Sequence, residues 1–164
     1  MKVFTYSFLY RLFLKYGNVP LNIMMVIYLV LSIGYLHNHI FTLIPISVSI
    51  LFIVIMNRQY VMMYKIVPFR IEAYDDHLVC SKFMFRKKKV EVYFGDIERL
   101  HGGIYEGKLK GVLKVYDGKQ KITIGYFSGI KNSQDLGTIL LSKVKKPVYD
   151  EVITKISEAG KRKK

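Results

Sequence analysis

The sequence predicts an α+β membrane protein: a two-helix transmembrane hairpin, then a small antiparallel β-barrel or curved sheet with a C-terminal helix. Three observations predict it. From Tyr16 to Asn57 there is no Lys, Arg, Asp or Glu across 42 residues. Past Arg58 the apolar period becomes two, as half-buried strands require. Behind the last strand pattern, spacings of three and four recur towards the C-terminus. The chain divides accordingly into an interfacial segment (1–19), the hairpin (20–57), a β domain with its closing helix (58–146), and a C-terminal helix with a basic tail (147–164).

The interfacial segment holds Phe4, Tyr6, Phe8, Leu9, Tyr10, Leu12, Phe13, Leu14 and Tyr16, with Arg11 and Lys15 among them, before Gly17 and Pro20 interrupt the pattern. Aromatic rings favour the head-group region and long basic side chains reach phosphates. An in-plane helix is expected, with Tyr6, Tyr10, Arg11, Lys15 and Tyr16 as interfacial anchors; a poorly ordered tail is the alternative.

As one helix, at about 1.5 Å per residue, the uncharged stretch would run roughly 63 Å, twice the ~30 Å hydrocarbon core. It is expected to cross twice. His37-Asn38-His39 divides it into Pro20–Leu36 and Ile40–Met56, each of 17 residues, near the short limit for a span. A second apolar run directly behind the first argues against a cleaved signal peptide. Pro45 can kink the second span, and Ser47 and Ser49 can return hydrogen bonds to backbone carbonyls. Lys2, Arg11 and Lys15 precede the hairpin, Arg58, Lys65 and Arg70 follow it, and the connecting turn has no Lys or Arg. The expected location is therefore the cytoplasmic (inner) membrane, multi-pass, with both termini cytoplasmic. The lone Cys80 agrees with a reducing compartment.

In the β domain, Phe69, Ile71 and Ala73 alternate with Arg70, Glu72 and Tyr74, and Asp75-Asp76 supplies turn chemistry before Leu78 to Arg86. Val90, Val92 and Phe94 predict a third strand, continued by Ile97 and Leu100. Glycines 102, 103, 107 and 111 punctuate a charged loop. Leu113 and Val115 then run into Asp117-Gly118, a hairpin signal of the type I′ kind, with Ile122 and Ile124 on the partner strand. Asn132 or Ser133 can cap a helix carrying Leu136, Ile139, Leu140 and Val144. Pro147 opens a second helix with Val148, Val152 and Ile156 on one face, ending at Gly160.

This layout resembles the bacterial pleckstrin-homology-like (bPH) membrane proteins, which join a short helical hairpin to about seven strands and a closing helix. The stretches Phe69-Arg-Ile-Glu-Ala-Tyr, Leu78-Val-Cys-Ser, Val92-Tyr-Phe-Gly-Asp-Ile-Glu-Arg-Leu and Leu113-Lys-Val-Tyr-Asp-Gly-Lys before Ile122-Thr-Ile carry the resemblance, over roughly residues 20 to 144. Gly95-Asp96-Ile97 followed by Leu100 is similar to that family's Asp-Ile step, with Phe94 where many relatives have tryptophan. The resemblance implies a PH-like β domain and a non-enzymatic role at a membrane.

The residues themselves offer little catalytic chemistry. No GxxxxGK[ST], GxGxxG after a strand, HExxH, paired CxxC or GxSxG occurs. His37 and His39 can contribute to a metal site with ligands from another chain, although a polar turn is the simpler account. Asp96, Glu98 and His101 form a local acid and imidazole cluster at a strand end. Neither carries a site assignment: no catalytic residue, cofactor or metal is expected.

Charge is more informative. From Arg58 onward 23 basic and 12 acidic residues leave a net of +11, which draws this part towards anionic surfaces. The candidate contacts for anionic lipid or a partner are Arg86, Lys87, Lys88 and Lys89; Lys143, Lys145 and Lys146; and Lys161, Arg162, Lys163 and Lys164. Solvated loop and tail charges are the alternative. Nucleic acid is not an expected partner, because no recognition helix or stacking motif organises these cations. The expected partners are anionic inner-leaflet lipids and a membrane or peripheral protein, or further copies of the chain. The expected function is a membrane-anchored PH-like scaffold or adaptor. The alternative is a small auxiliary subunit of a larger transporter or secretion complex, associating through its hairpin.

Overall fold

The computed structural model describes residues 1–36, 41, 43–84, 89–108 and 111–161. They form two compact units, one of Met1–Phe8 with Tyr64–Lys164 and one of Leu9–Met63. The architecture is α+β, with two long apolar helices followed by two antiparallel sheets.

The helical unit contains α1 (Phe8–Tyr16), α2 (Asn18–Leu36) and most of α3 (Leu43–Ile66). Two helical stretches, Phe8–Gly34 and Leu43–Ile66, are long and apolar enough to cross a membrane, and only 6% of each apolar window is buried. Their apolar side chains lie largely outside any protein core among the described residues. Ser32 donates to the Tyr28 carbonyl, Ser47 to Leu43 and Ser49 to Pro45, each one turn back. Pro45 does not act as an interior kink. It is the third residue of α3, where the missing N–H is one that the helix start leaves unpaired anyway.

The sheet unit has a four-stranded sheet of order β1-β2-β3-β4 and a three-stranded sheet of order β5-β6-β7. The strands are β1 (Lys2–Thr5), β2 (Pro68–Ala73), β3 (His77–Phe83), β4 (Val90–Tyr93), β5 (Ile97–His101), β6 (Val112–Asp117) and β7 (Ile122–Phe127). A closed barrel does not form. The chain leaves the first sheet through a 3-10 turn at Phe94–Asp96, and β5 pairs with β6 instead of continuing beside β4. Single backbone contacts join the sheets, including Gly118 N–H to Asp96 O (3.0 Å), Lys131 N–H to Thr5 O (3.0 Å) and a bridge between Tyr6 and Ile130.

The N-terminal strand revises the expected interfacial segment. Phe4 lies opposite Ile71, and the pairing brings Lys2–Thr5 into the sheet unit. Phe4 and Tyr6 are 2% and 1% exposed, and the Tyr6 hydroxyl accepts the Phe127 N–H at 2.8 Å. Tyr6 is thus a core residue rather than an interfacial anchor. Burying rings of this size stabilises by roughly 1.5–3 kcal/mol each.

The core continues through Ile71, Cys80 and Val92 of the first sheet and Leu100, Val115 and Ile124 of the second. Leu136 and Leu140 of α4 (Ser133–Lys143) and Val148 and Val152 of α5 (Lys146–Lys161) complete it. Asn132 precedes α4 in a left-handed conformation and makes no side-chain cap. α5 runs one residue beyond Gly160, and Ile156 stays 37% exposed instead of joining Val148 and Val152 in the core. The Asp117-Gly118 signal also resolves differently. Asp117 pairs with Ile122, so four residues make the loop, and the positive φ falls on Lys121.

Candidate functional site

At the start of α2, three asparagines clasp the helical unit. Asn57 of α3 accepts from Asn18 Nδ2 at 2.6 Å and donates to Asn22 Oδ1 at 2.7 Å, while its amide also reaches the Ile53 carbonyl at 2.8 Å. Asn22 Nδ2 returns to the Asn18 carbonyl at 2.8 Å. Partly buried amides among apolar side chains are stabilised by bonding one another, since an unpaired amide there would be costly. Within a stretch that has no Lys, Arg, Asp or Glu, these neutral amides carry the polar chemistry. Their signal was present: asparagines 18, 22 and 57 are isolated polar residues at the edges of two apolar runs.

Beside the clasp, Leu9, Leu12, Phe13, Tyr16 and Gly17 line an apolar cleft of about 460 Å³. Gly17 lets the chain pass close to α3, since a Cβ there would sit 2.5 Å from the Phe13 carbonyl oxygen and 3.1 Å from the Tyr60 hydroxyl. α1 is amphipathic: Phe8, Leu9, Leu12, Phe13 and Tyr16 are exposed, with Arg11 and Lys15 also exposed and Tyr10 half-buried. The Lys15 ammonium lies 5.0 Å from the centre of the Tyr16 ring. Among the expected anchors, Tyr10, Arg11, Lys15 and Tyr16 therefore share one short helix, and Tyr6 does not.

The basic residues expected to contact lipid or a partner divide into three groups. Lys89, Lys145, Lys146 and Lys161 are exposed. Lys143 is drawn inward: its ammonium donates to the carbonyls of Asp75 (2.7 Å) and Tyr74 (3.4 Å), lies 3.8 Å from the Asp75 carboxylate and 5.2 Å from the centre of the Phe94 ring. It braces the β2–β3 turn against α4, so it is not a free surface cation. Arg86, Lys87, Lys88, Arg162, Lys163 and Lys164 lie outside the described residues, as do His37 and His39.

The acid and imidazole cluster does not converge. The Asp96 carboxylate lies 3.8 Å from Lys119 and Glu98 borders Gly118. His101 instead faces a cleft of about 410 Å³ shared with Arg99, Leu100, Glu151 and Lys155. Partial burial, then the nearby Lys114, lower the His101 imidazole below its usual value against the opposing pull of Glu106. Lys155 is tied to Glu151 at 2.6 Å. No group of three or more His, Cys, Asp or Glu able to hold a metal occurs among the described residues. Cys80 is fully buried, and burial pushes its thiol up to about 12, away from the thiolate that reactivity needs.

No family model, curated protein or solved structure matches the chain.

Proposed function

We propose that this chain is a membrane-anchored, non-enzymatic PH-like scaffold or adaptor, positioning a partner at the cytoplasmic face of the membrane. The exposed apolar helices α2 and α3 carry this conclusion. Side chains of this kind, left outside any protein core along both helices, call for a bilayer, and the Asn18–Asn22–Asn57 clasp gives them a reason to enter it as a pair. Basic residues before and after the hairpin support a cytoplasmic location for both ends. Sheets of four and three antiparallel strands, with two helices after the last strand, support the PH-like assignment. Anionic lipids of the inner leaflet and a protein partner fit the surplus of Lys and Arg.

The auxiliary-subunit alternative places recognition in the spans. The clasp weighs against it, because Asn22, Asn57 and the Asn18 amide nitrogen bond to one another between the two helices instead of facing outward.

Purification of the tagged full chain from its native membrane in mild detergent, with mass spectrometry of what elutes, tests the proposal. Resistance of the chain to alkaline extraction and a stoichiometric protein held through the sheet unit are the expected results. Release at alkaline pH overturns the anchoring. A partner that is lost when the lipid-facing residues of α2 and α3 are scrambled, at constant hydrophobicity, favours the subunit alternative.

A further inference from the structure

Helix α5 buries one side and leaves a second apolar stripe uncovered. Val148 and Val152 are in the core, and α5 packs on β5 and on the 3-10 turn Gly103–Glu106. Tyr149, Ile153 and Ile156 nevertheless remain 42%, 42% and 37% exposed. Their spacing of four and three aligns them on one face. Both ends of that stripe are cationic: Lys145 and Lys146 stand at its start, Lys161 at its end, and the sequence continues Arg162-Lys163-Lys164.

Helix chemistry does not account for this pattern. Lys146 is the first residue of α5, where a positive charge opposes the helix dipole. An exposed isoleucine pair with a tyrosine gains nothing from water. Of the carboxylates on α5, Asp150 borders the stripe, while Glu151 pairs with Lys155 and Glu158 lies towards the other side. An apolar strip with cations at its ends is the complement of a bilayer whose surface carries anionic head groups.

We infer that the face formed by Tyr149, Ile153 and Ile156, with Lys145, Lys146 and Lys161, lies on an anionic bilayer surface, as a second membrane contact. The inference rests on the hairpin being anchored in that bilayer. β2 begins at Pro68, two residues after α3 ends at Ile66, so a short covalent tether keeps the sheet unit near lipid. Weak surface affinity is then sufficient, because the second contact is intramolecular.

The test uses the full chain with Ile153→Cys, carrying an environment-sensitive fluorophore. Cys80 is buried, so labelling goes to the introduced thiol. The labelled chain is placed in nanodiscs of phosphatidylcholine alone or mixed with phosphatidylglycerol, with Glu158→Cys as the control on the other side of α5. The expected result is a blue shift at position 153 in anionic discs that is absent at 158. It weakens with added salt and is lost when Lys145, Lys146 and Lys161 become Gln. Emission typical of water at position 153 in anionic discs overturns the inference while leaving the anchor intact, provided the chain co-elutes with the discs. Failure to co-elute overturns both. A shift that follows the number of chains per disc, and not lipid charge, also overturns it and assigns the stripe to a second copy.

Discussion

The Tyr105 and Tyr126 hydroxyls lie 2.6 Å apart in the interior of the sheet unit, joining the 3-10 turn Gly103–Glu106 to strand β7. Burial raises the Tyr105 phenol to about 12, and burial followed by the neighbouring Tyr105 raises Tyr126 well above its ordinary value. Each group supplies the other's hydrogen bond, so neither can ionise without leaving a charge in the core.

Alkaline pH should therefore destabilise the sheet unit. A raised acid pKa means that the folded state holds its proton while the unfolded chain releases it. Stability is fully present below the unfolded value and falls as pH rises towards the folded one. For Cys80 the window is about 9 to 12, and for Tyr105 about 10 to 12. The near-UV circular dichroism of the full chain in detergent should be lost in this range. Cys80→Ala should move the onset upward, and an onset unaffected by both Cys80→Ala and Tyr105→Phe would contradict the linkage. At neutral pH, Tyr126→Phe strands the Tyr105 hydroxyl and should cost about 1–3 kcal/mol in denaturant unfolding.

Asp117 and Gln120 hold the β6–β7 loop to the other sheet. Asp117 is wholly buried, and its carboxylate accepts from the Gln120 N–H at 2.9 Å and the Gln120 side chain at 3.2 Å. The same side chain donates to the Glu91 carbonyl on β4 at 2.6 Å. Asp117→Ala should destabilise by about 1–3 kcal/mol, and Gln120→Ala by less because it is partly solvated. Amide exchange that stays slow in both the loop and β4 of Asp117→Ala would show that the carboxylate is not the tie.

Local patterns made most strands and both C-terminal helices legible in the sequence, because alternation and three-four spacing report which side chains are buried. The two-sheet division was not legible. It depends on β5 leaving β4 at the Phe94–Asp96 turn, a tertiary choice between equally alternating partners. β1 was missed for a similar reason: Phe4 and Tyr6 alternate with Val3 and Thr5, but their partners lie more than sixty residues away, beyond the hairpin. The basic patches were legible as charge and not as availability. Lys143 became a structural brace through a turn that sequence spacing alone does not place beside it. The asparagine clasp was visible only if neutral amides in apolar helices were weighed as heavily as ions.

Gly107 makes room for α5. It sits at φ +68, and a Cβ there would collide with Cβ of Ala159. Gly107→Ala adds strain in the left-handed region to overpacking against the helix, and should cost roughly 1–3 kcal/mol. Ala159→Gly in the same chain should recover the steric part and leave the backbone part. Thermal unfolding of both single variants and the double separates the two, the Ala159→Gly single giving the cost of glycine in the helix; a double variant that shows the sum of the two single costs would place the whole cost of Gly107→Ala in the backbone.

The clasp predicts how the hairpin fails. Asn57 is the centre of the network, bonded to both Asn18 and Asn22, and Asn57→Leu removes its bonds while raising hydrophobicity. If insertion depended on hydrophobicity alone, that variant would be the better membrane segment. If the amides pair the helices, it should instead lose about 1 kcal/mol of helix–helix association. Titration with denaturing detergent, followed by helical circular dichroism in mixed micelles, distinguishes these outcomes by the sign of the midpoint shift. In a cycle of Asn22→Ala, Asn57→Ala and both together, the double variant should lose less than the sum of the two single losses, because either single change already removes the 2.7 Å bond they share. Strict additivity would mean that each asparagine serves its own helix, through the Asn18 and Ile53 carbonyls, and that the close approach at Gly17 and Tyr60 does the joining.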